Sequence, residues 1–383
     1  MLNKNYIGGS FEIDVSKLAM PVCQEPGNYF GFRKNDVLLN TGRAAFRSIL
    51  KALNLGKNRI LLPDFLCEEA FLPVAHEESV DFIFYPINRR LRPIAEELEK
   101  AVKDGAGAIL LINFFGLKDV SKTAQAIRRL DSSIKIIVDN VQALFCLKNG
   151  EHVTDFADFE IYSFRKFLAV PDGAFVRNNT DFPLILEKGV CDDSSLYMIG
   201  AILRNALLSG STKPSEAEKI ENSYLGYFDA ATKSLPTYSA PPSYYFKELI
   251  RRYPLDHIAS RRRENYIFLA EALTDCADVN VIEAKLSDAV VPLSLPIFVK
   301  NGSRDLLKNH LQKQNIFCPI HWPQNENGRR TLSDDVKYIS SHILSLPIDQ
   351  RYCQQDLIRI ADEMKSFFKS AAGSITKLSP ELI

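Results

Sequence analysis

Short apolar runs alternate with helix-patterned stretches along the first half of this chain, and that alternation restricts its fold more than any other feature. Residues 59–63, 81–85, 108–113 and 135–139 each read as a strand, and the run Ala108-Ile-Leu-Leu-Ile-Asn113 has no polar position until its last residue. Between them, residues 67–75, 94–102 and 120–130 carry helical spacing of apolar side chains. A strand apolar at every position is buried on both faces, and helices between such strands supply the cover. The expected fold is therefore α/β, with a mainly parallel sheet covered by helices. In such sheets ligands lie beyond the carboxyl ends of the strands. Asp139 occupies one of those ends.

The chain has 383 residues, long for one core. We expect a large domain over residues 1–242, including an irregular arm over 1–36, and a smaller C-terminal α/β domain over 243–383. Residues 183–235 read as mostly helical. Lysines plus arginines equal aspartates plus glutamates, giving a formal net charge of zero. That argues against nucleic acid or an anionic membrane as the main partner. The basic pieces Arg251-Arg252 and Arg261-Arg-Arg263 read as a solvated helix face. No apolar run reaches membrane-spanning length, and the first residues lack the apolar core of a signal peptide. The seven cysteines are scattered without a Cys-x-x-Cys, as expected of reduced thiols in a cytoplasmic protein without a metal site.

Three stretches carry chemistry. In Asn40-Thr-Gly-Arg-Ala-Ala45, Thr41 or Asn40 caps a helix whose small first residues, Gly42 above all, leave backbone N–H groups open to an anion; Thr41, Gly42 and Arg43 can hold a phosphate, and an ordinary capped helix reads the same way. In Asp139-Asn-Val-Gln-Ala-Leu144, a carboxylate at a buried strand end needs a cationic partner. It is either a structural cap or the acceptor for a protonated ring nitrogen, with Gln142 reaching a neighbouring ring substituent. In Ser163-Phe-Arg-Lys166, a lysine sits on a turn between two apolar strands. Partial burial there frees its amine to attack a carbonyl; a solvated turn lysine has the same pattern.

The order of these pieces resembles the DegT/DnrJ (StrS-like) sugar aminotransferase family, a fold-type I group that uses pyridoxal 5′-phosphate. The three stretches above match its phosphate-binding helix start, its Asp-x-x-Gln-Ala motif and, with Asp172-Gly173, its lysine segment. Ile60-Leu-Leu-Pro-Asp-Phe-Leu-Cys67, Asn113-Phe-Phe-Gly116, Pro319-Ile-His-Trp-Pro323 and Leu344-Ser-Leu-Pro-Ile-Asp349 resemble further family segments in the family order. The resemblance implies that Lys166 forms the Schiff base with the cofactor, that Asp139 pairs with the pyridinium and that Gln142 contacts the ring's oxygen side. It places Thr41, Gly42, Arg43 and Ser163 round the phosphate. His321 and Trp322 are the substrate-side candidates. The chain departs from the pattern in four places. Ser163 and Lys166 are three residues apart instead of five, a two-residue deletion. The position of the ring-covering aromatic holds Cys67, with Phe65 as a substitute. Gly173-Ala174 replaces Gly-Gly. The segment by which a partner subunit reaches the phosphate has no match, and Asn205, Tyr238 and Ser239 are the candidates for its stand-in.

The implied activity is transfer of an amino group from glutamate to a keto group of a nucleotide-linked sugar, in surface-polysaccharide or secondary-metabolite biosynthesis, by a homodimer. Arg33, Arg204 and Arg329 are the candidates for the sugar nucleotide's diphosphate. Two alternatives stand beside this reading. One is a pyridoxal-phosphate sugar dehydratase, although the family's dehydratases carry histidine at the Lys166 position. The other is a regulatory or scaffold protein on a degenerate aminotransferase fold.

Overall fold

The apolar runs pair as the alternation requires. In the computed structural model, which describes residues 6–56, 58–148, 151–152, 156–187, 194–234, 237–324, 326 and 330–375, seven strands form one sheet. Their order is Val37–Leu39, Ala174–Asn178, Phe159–Ser163, Lys135–Asp139, Ala108–Ile112, Ile60–Pro63, Phe82–Tyr85. The five strands from Phe159–Ser163 to Phe82–Tyr85 are parallel; Ala174–Asn178 runs antiparallel to both its neighbours, so the edge strand Val37–Leu39 again runs with the five. Ile112 pairs with Asp139 and Asp139 with Ile161. That register brings three strand ends to one edge of the sheet, where the loops carrying the motifs begin.

The helices pack on this sheet through the faces the sequence marks. Gly42–Leu53 buries Ala44, Ala45, Phe46, Ile49 and Leu50. The three large side chains among these stabilise by about 2 kcal/mol each from apolar area alone. The helix ends at Asn54, whose φ of 42° is the left-handed conformation of a C-terminal stop. A helical hairpin, Ser194–Leu208 and Ala217–Lys233, follows the sheet.

Toward the C-terminus a second, antiparallel sheet is built from Val279–Val281, Leu295–Val299 and Ile343–Leu346. Leu255–Ala272, Arg304–Lys313 and Gln354–Ile375 pack beside it. One apolar core runs from Leu110 and Ile137 of the large sheet through Ile297 and Leu344 of the small one. The two units we propose, 1–242 and 243–383, therefore share packing.

Two expectations are corrected. The arm over 1–36 is not wholly irregular, because Ile7–Gly8 pairs in parallel with Ile316–Phe317. Gly8 takes φ 85°, and a Cβ there would lie 2.1 Å from the Phe317 carbonyl oxygen, so the pairing requires glycine. The basic run is not a uniformly solvated face either. Arg262 is 1% exposed. It stacks on Phe167 at 4.6 Å and donates to the carbonyls of Leu293 and Phe167 and to Gln350 Oε1. Its neighbour Arg261 pairs, among the described residues, with Glu264 at the surface. Among the described residues no helix is long and apolar enough to cross a membrane.

Candidate active site

A cavity of about 640 Å³ opens at the strand ends, between the large sheet, the N-terminal arm and the segments 317–322 and 345–351. It brings together Thr41, Gly42, Arg43, Cys67, Asp139, Ser163, Lys166, His321 and Trp322. Phe65 and Gln142 do not line it.

Thr41 caps the first helix turn, its Oγ1 accepting the Ala44 N–H at 3.0 Å, while its own N–H donates to Asn40 Oδ1. The N–H groups of Gly42 and Arg43 find no acceptor among the described residues. Asn40 fixes where those two donors sit. It is buried, its Nδ2 donates to the Tyr238 carbonyl, and its carbonyl accepts the Gly173 N–H at 2.7 Å. The helix start and the far end of the lysine turn are thus tied by one residue. Of the stand-in candidates, Ser239 spends its hydroxyl on the Ala44 carbonyl, and neither it, Tyr238 nor Asn205 lines the cavity.

Asp139 is 2% exposed and its Oδ1 accepts the Val141 N–H at 2.9 Å. Burial pushes its carboxyl up to about 6, against the pull of that hydrogen bond and of the nearby Lys166 charge. Gln142 lies behind the cavity wall. Its Oε1 accepts the Phe115 N–H at 2.6 Å, and its buried Nε2 has no partner among the described residues. It holds the turn Phe114–Gly116, where Phe115 takes φ 59° and Gly116 φ 72°. Two motifs that the sequence shows separately, Asn113-Phe-Phe-Gly116 and the one after Asp139, are therefore halves of one contact.

Lys166 ends the short helical turn Phe164–Lys166, pinned by the fully buried rings of Phe164 and Phe167. Its side chain is exposed, but into the cavity it lines. It makes no hydrogen bond or ion pair among the described residues. Desolvation by the surrounding protein holds the amine below the usual lysine range; Cys67 and Asp139 oppose this, and the positive charges of Arg165 and Arg43 add to it. Behind the turn, Asp172 accepts the Ser243 N–H and Oγ–H, both at 2.9 Å. Gly173 takes φ 105° against the ring of Phe246. Arg262 and Gln350 both donate to the Phe167 carbonyl. No local pattern marks these last two as supports of the lysine turn, because the contacts cross 95 and 183 residues.

His321 contributes a neutral imidazole. Its Nδ1 is 2.8 Å from Ser345 Oγ, and burial with the Lys166 charge lowers its pKa to about 3. Trp322 packs against Phe65 and Phe114, at 5.7 and 6.3 Å between ring centroids. Phe65 therefore backs Trp322, and Cys67 faces the cavity with a thiol that burial pushes up. Arg165, which no motif singled out, also lines the cavity. Arg33 bonds Asn179, and Arg204 donates to the Gly8 carbonyl beside Glu12; neither lines it. Arg329 falls outside the described residues.

Residues 24–182 match the model of the DegT/DnrJ/EryC1/StrS aminotransferase family. The family recognised from the motifs is the one this comparison finds. A DegT/DnrJ/EryC1/StrS aminotransferase from Brucella abortus is 19% identical, with 95% of this chain and 91% of that one covered and a TM-score of 0.62. Helicobacter pylori PseC, an aminotransferase involved in the biosynthesis of pseudoaminic acid, is 13% identical over 96% and 100%, with a TM-score of 0.67. The sugar aminotransferase CalS13 from Micromonospora echinospora is 16% identical over 94% and 99%, with a TM-score of 0.65. At these identities the likeness establishes the fold, that of fold-type I aminotransferases. No curated protein matches the chain.

Proposed function

We propose that this chain is a pyridoxal-phosphate-dependent aminotransferase that moves an amino group from glutamate to a keto group of a nucleotide-linked sugar. The observation that carries the reading is the cavity floor. An unpaired lysine, a buried aspartate and two free N–H groups at a helix start face one space.

The residues present fit the cofactor. Gly42 and Arg43 offer their N–H groups, and Ser163 its hydroxyl, to a phosphate, with Thr41 lining the same space as the helix cap. Asp139 is an anion at a buried strand end that calls for a protonated ring nitrogen, and Lys166 is an amine that calls for a carbonyl. Bound pyridoxal phosphate supplies an electron sink that acidifies the carbon next to an attached nitrogen.

The chain's own groups do the rest. Asp139, ionised above about pH 6, holds a positive charge in place by Coulomb attraction in a poorly solvated site. Lys166, with its ammonium disfavoured by burial, takes a proton from one carbon and returns it to another. The neutral His321 is an acceptor or donor of hydrogen bonds, not an acid, because its charged form is suppressed. Trp322 and Phe71 line the walls and exclude water. Lys166 also speaks against the dehydratase reading, in line with the resemblance. For a diphosphate, Lys308 is better placed than Arg33 or Arg204, since it lines the cavity and makes no ion pair among the described residues. A cytoplasmic homodimer serving polysaccharide or secondary-metabolite synthesis is part of the same proposal and rests on the family resemblance.

The test has two stages. Glutamate alone should change the visible absorbance of the cofactor-loaded protein. One member of a panel of keto-sugar nucleotides should then restore it. Restoration by a free keto acid alone removes the sugar substrate. No response to any amino donor, with cofactor bound, favours the regulatory reading.

A further inference from the structure

We propose that Arg165 binds the phosphate of the cofactor, an assignment that rests on the pyridoxal phosphate reading above. Arg165 immediately precedes Lys166 on the turn fixed by the buried Phe164 and Phe167. Its guanidinium sits 4.9 Å from the centroid of the Tyr197 ring, and that ring is 6% exposed. A planar fork braced on an aromatic face has lost much of its freedom before any ligand arrives.

The charges around it are unbalanced. Arg165 makes no hydrogen bond or ion pair among the described residues. The other arginines of the cavity are occupied: Arg351 by Asp349 and Glu12, Arg262 by carbonyls and Gln350, Arg43 by Glu69 at 3.9 Å. Of the carboxylates nearby, Asp349 is paired with Arg351, and Asp172, hydrogen-bonded by Ser243, attracts Arg165 without forming an ion pair with it. Burial and the repulsion of Arg43 and Lys166 disfavour the Arg165 cation, against the pull of Tyr197 and Asp172. Two cationic side chains without an ion pair among the described residues, Arg165 and Lys166, thus share a cavity with the free N–H groups of Gly42 and Arg43, and Asp139, the carboxylate on its floor, acts on Lys166. A phosphate monoester carries up to two negative charges and offers oxygen pairs for the fork. A donor's carboxylate has one charge and is the second source of the same chemistry.

Wild type, Arg165→Met and Arg165→Lys should be titrated with pyridoxal phosphate and with pyridoxal, which lacks the phosphate, in the absence of substrate. Losing a charge-assisted contact of this kind costs roughly 10- to 100-fold in affinity. Arg165→Met should weaken pyridoxal phosphate by that factor and leave pyridoxal within about twofold. Inorganic phosphate should compete less well with pyridoxal phosphate in that variant, and Arg165→Lys should recover part of the loss. The urea midpoint of cofactor-free Arg165→Met should not fall, because an uncompensated charge has been removed. An equal loss for both ligands makes Arg165 a shape-keeping residue and overturns the proposal. Unchanged cofactor affinity with a higher glutamate requirement moves the residue to the donor carboxylate and also overturns it. A wild type that shows no preference for the phosphorylated ligand removes the cofactor reading itself.

Discussion

Replacing Asp139 with asparagine should make the cofactor-free protein more stable and the enzyme much worse. The carboxyl is buried, and its pKa rises from 3.8 to about 6 on folding. A raised acid favours the folded state only while protonated. Its stabilising effect is complete below about pH 4 and is lost as pH rises through about 6. That displacement corresponds to about 3 kcal/mol of stability given up by neutral pH. The asparagine side chain of Asp139→Asn would keep the Val141 N–H bond through its carbonyl oxygen and lose the charge. Urea unfolding from about pH 3.5 to about pH 8 should show little difference between the two proteins at the acid end. The gap should grow to between 1 and about 3 kcal/mol in favour of Asp139→Asn above pH 7. Pyridoxal phosphate should reverse the order, because a protonated ring nitrogen returns the counter-charge only to wild type. The amino-donor half-reaction of the variant should fall by several orders of magnitude, as expected when a preorganised charge is removed. A stability gap independent of pH, or a variant that turns over at the wild-type rate, would refute the reasoning.

Two further substitutions test the support of the lysine turn. Gly173→Ala puts a Cβ 2.3 Å from Phe246 at φ 105°, and should cost about 2–4 kcal/mol in urea unfolding as well as weaken cofactor binding. Arg262→Leu should destabilise by about 2–4 kcal/mol by leaving the Leu293 carbonyl and Gln350 Oε1 without their donor, whereas Arg261→Ala should stay within about 0.5 kcal/mol. Equal effects at the two arginines would mean the buried hydrogen bonds are not what the helix contributes.

The central strands were legible because both of their faces are buried, so 108–113 and 135–139 need no neighbour to be recognised. Val37–Leu39 was not, since a three-residue, half-exposed edge strand has no periodicity to read. Ile7–Gly8 was hidden for another reason. Its partner is Ile316–Phe317, and only that pairing makes it a strand. Within the candidate site, residues whose chemistry needs a position at a strand end or helix start, Asp139 and Gly42, reach the cavity. Gln142 and Phe65 do not line it, because the first is drawn to a left-handed turn at Phe115 and the second to Trp322. Neither contact leaves a local trace in sequence. Arg165 and Arg262 are both members of ordinary basic pieces; the burial of Arg262 and the place of Arg165 in the cavity against Tyr197 separate them from solvated arginines, and both are properties of the fold.

The most direct measurement is reductive trapping. The protein should be mixed with pyridoxal phosphate, reduced with borohydride, digested and mapped by mass spectrometry. The account predicts the added mass on the peptide carrying Lys166, suppression of labelling by substrate-level glutamate, and no label at that peptide in Lys166→Ala. A label that settles on another lysine, Lys308 for instance, or wild type that takes up no label while remaining folded, contradicts it.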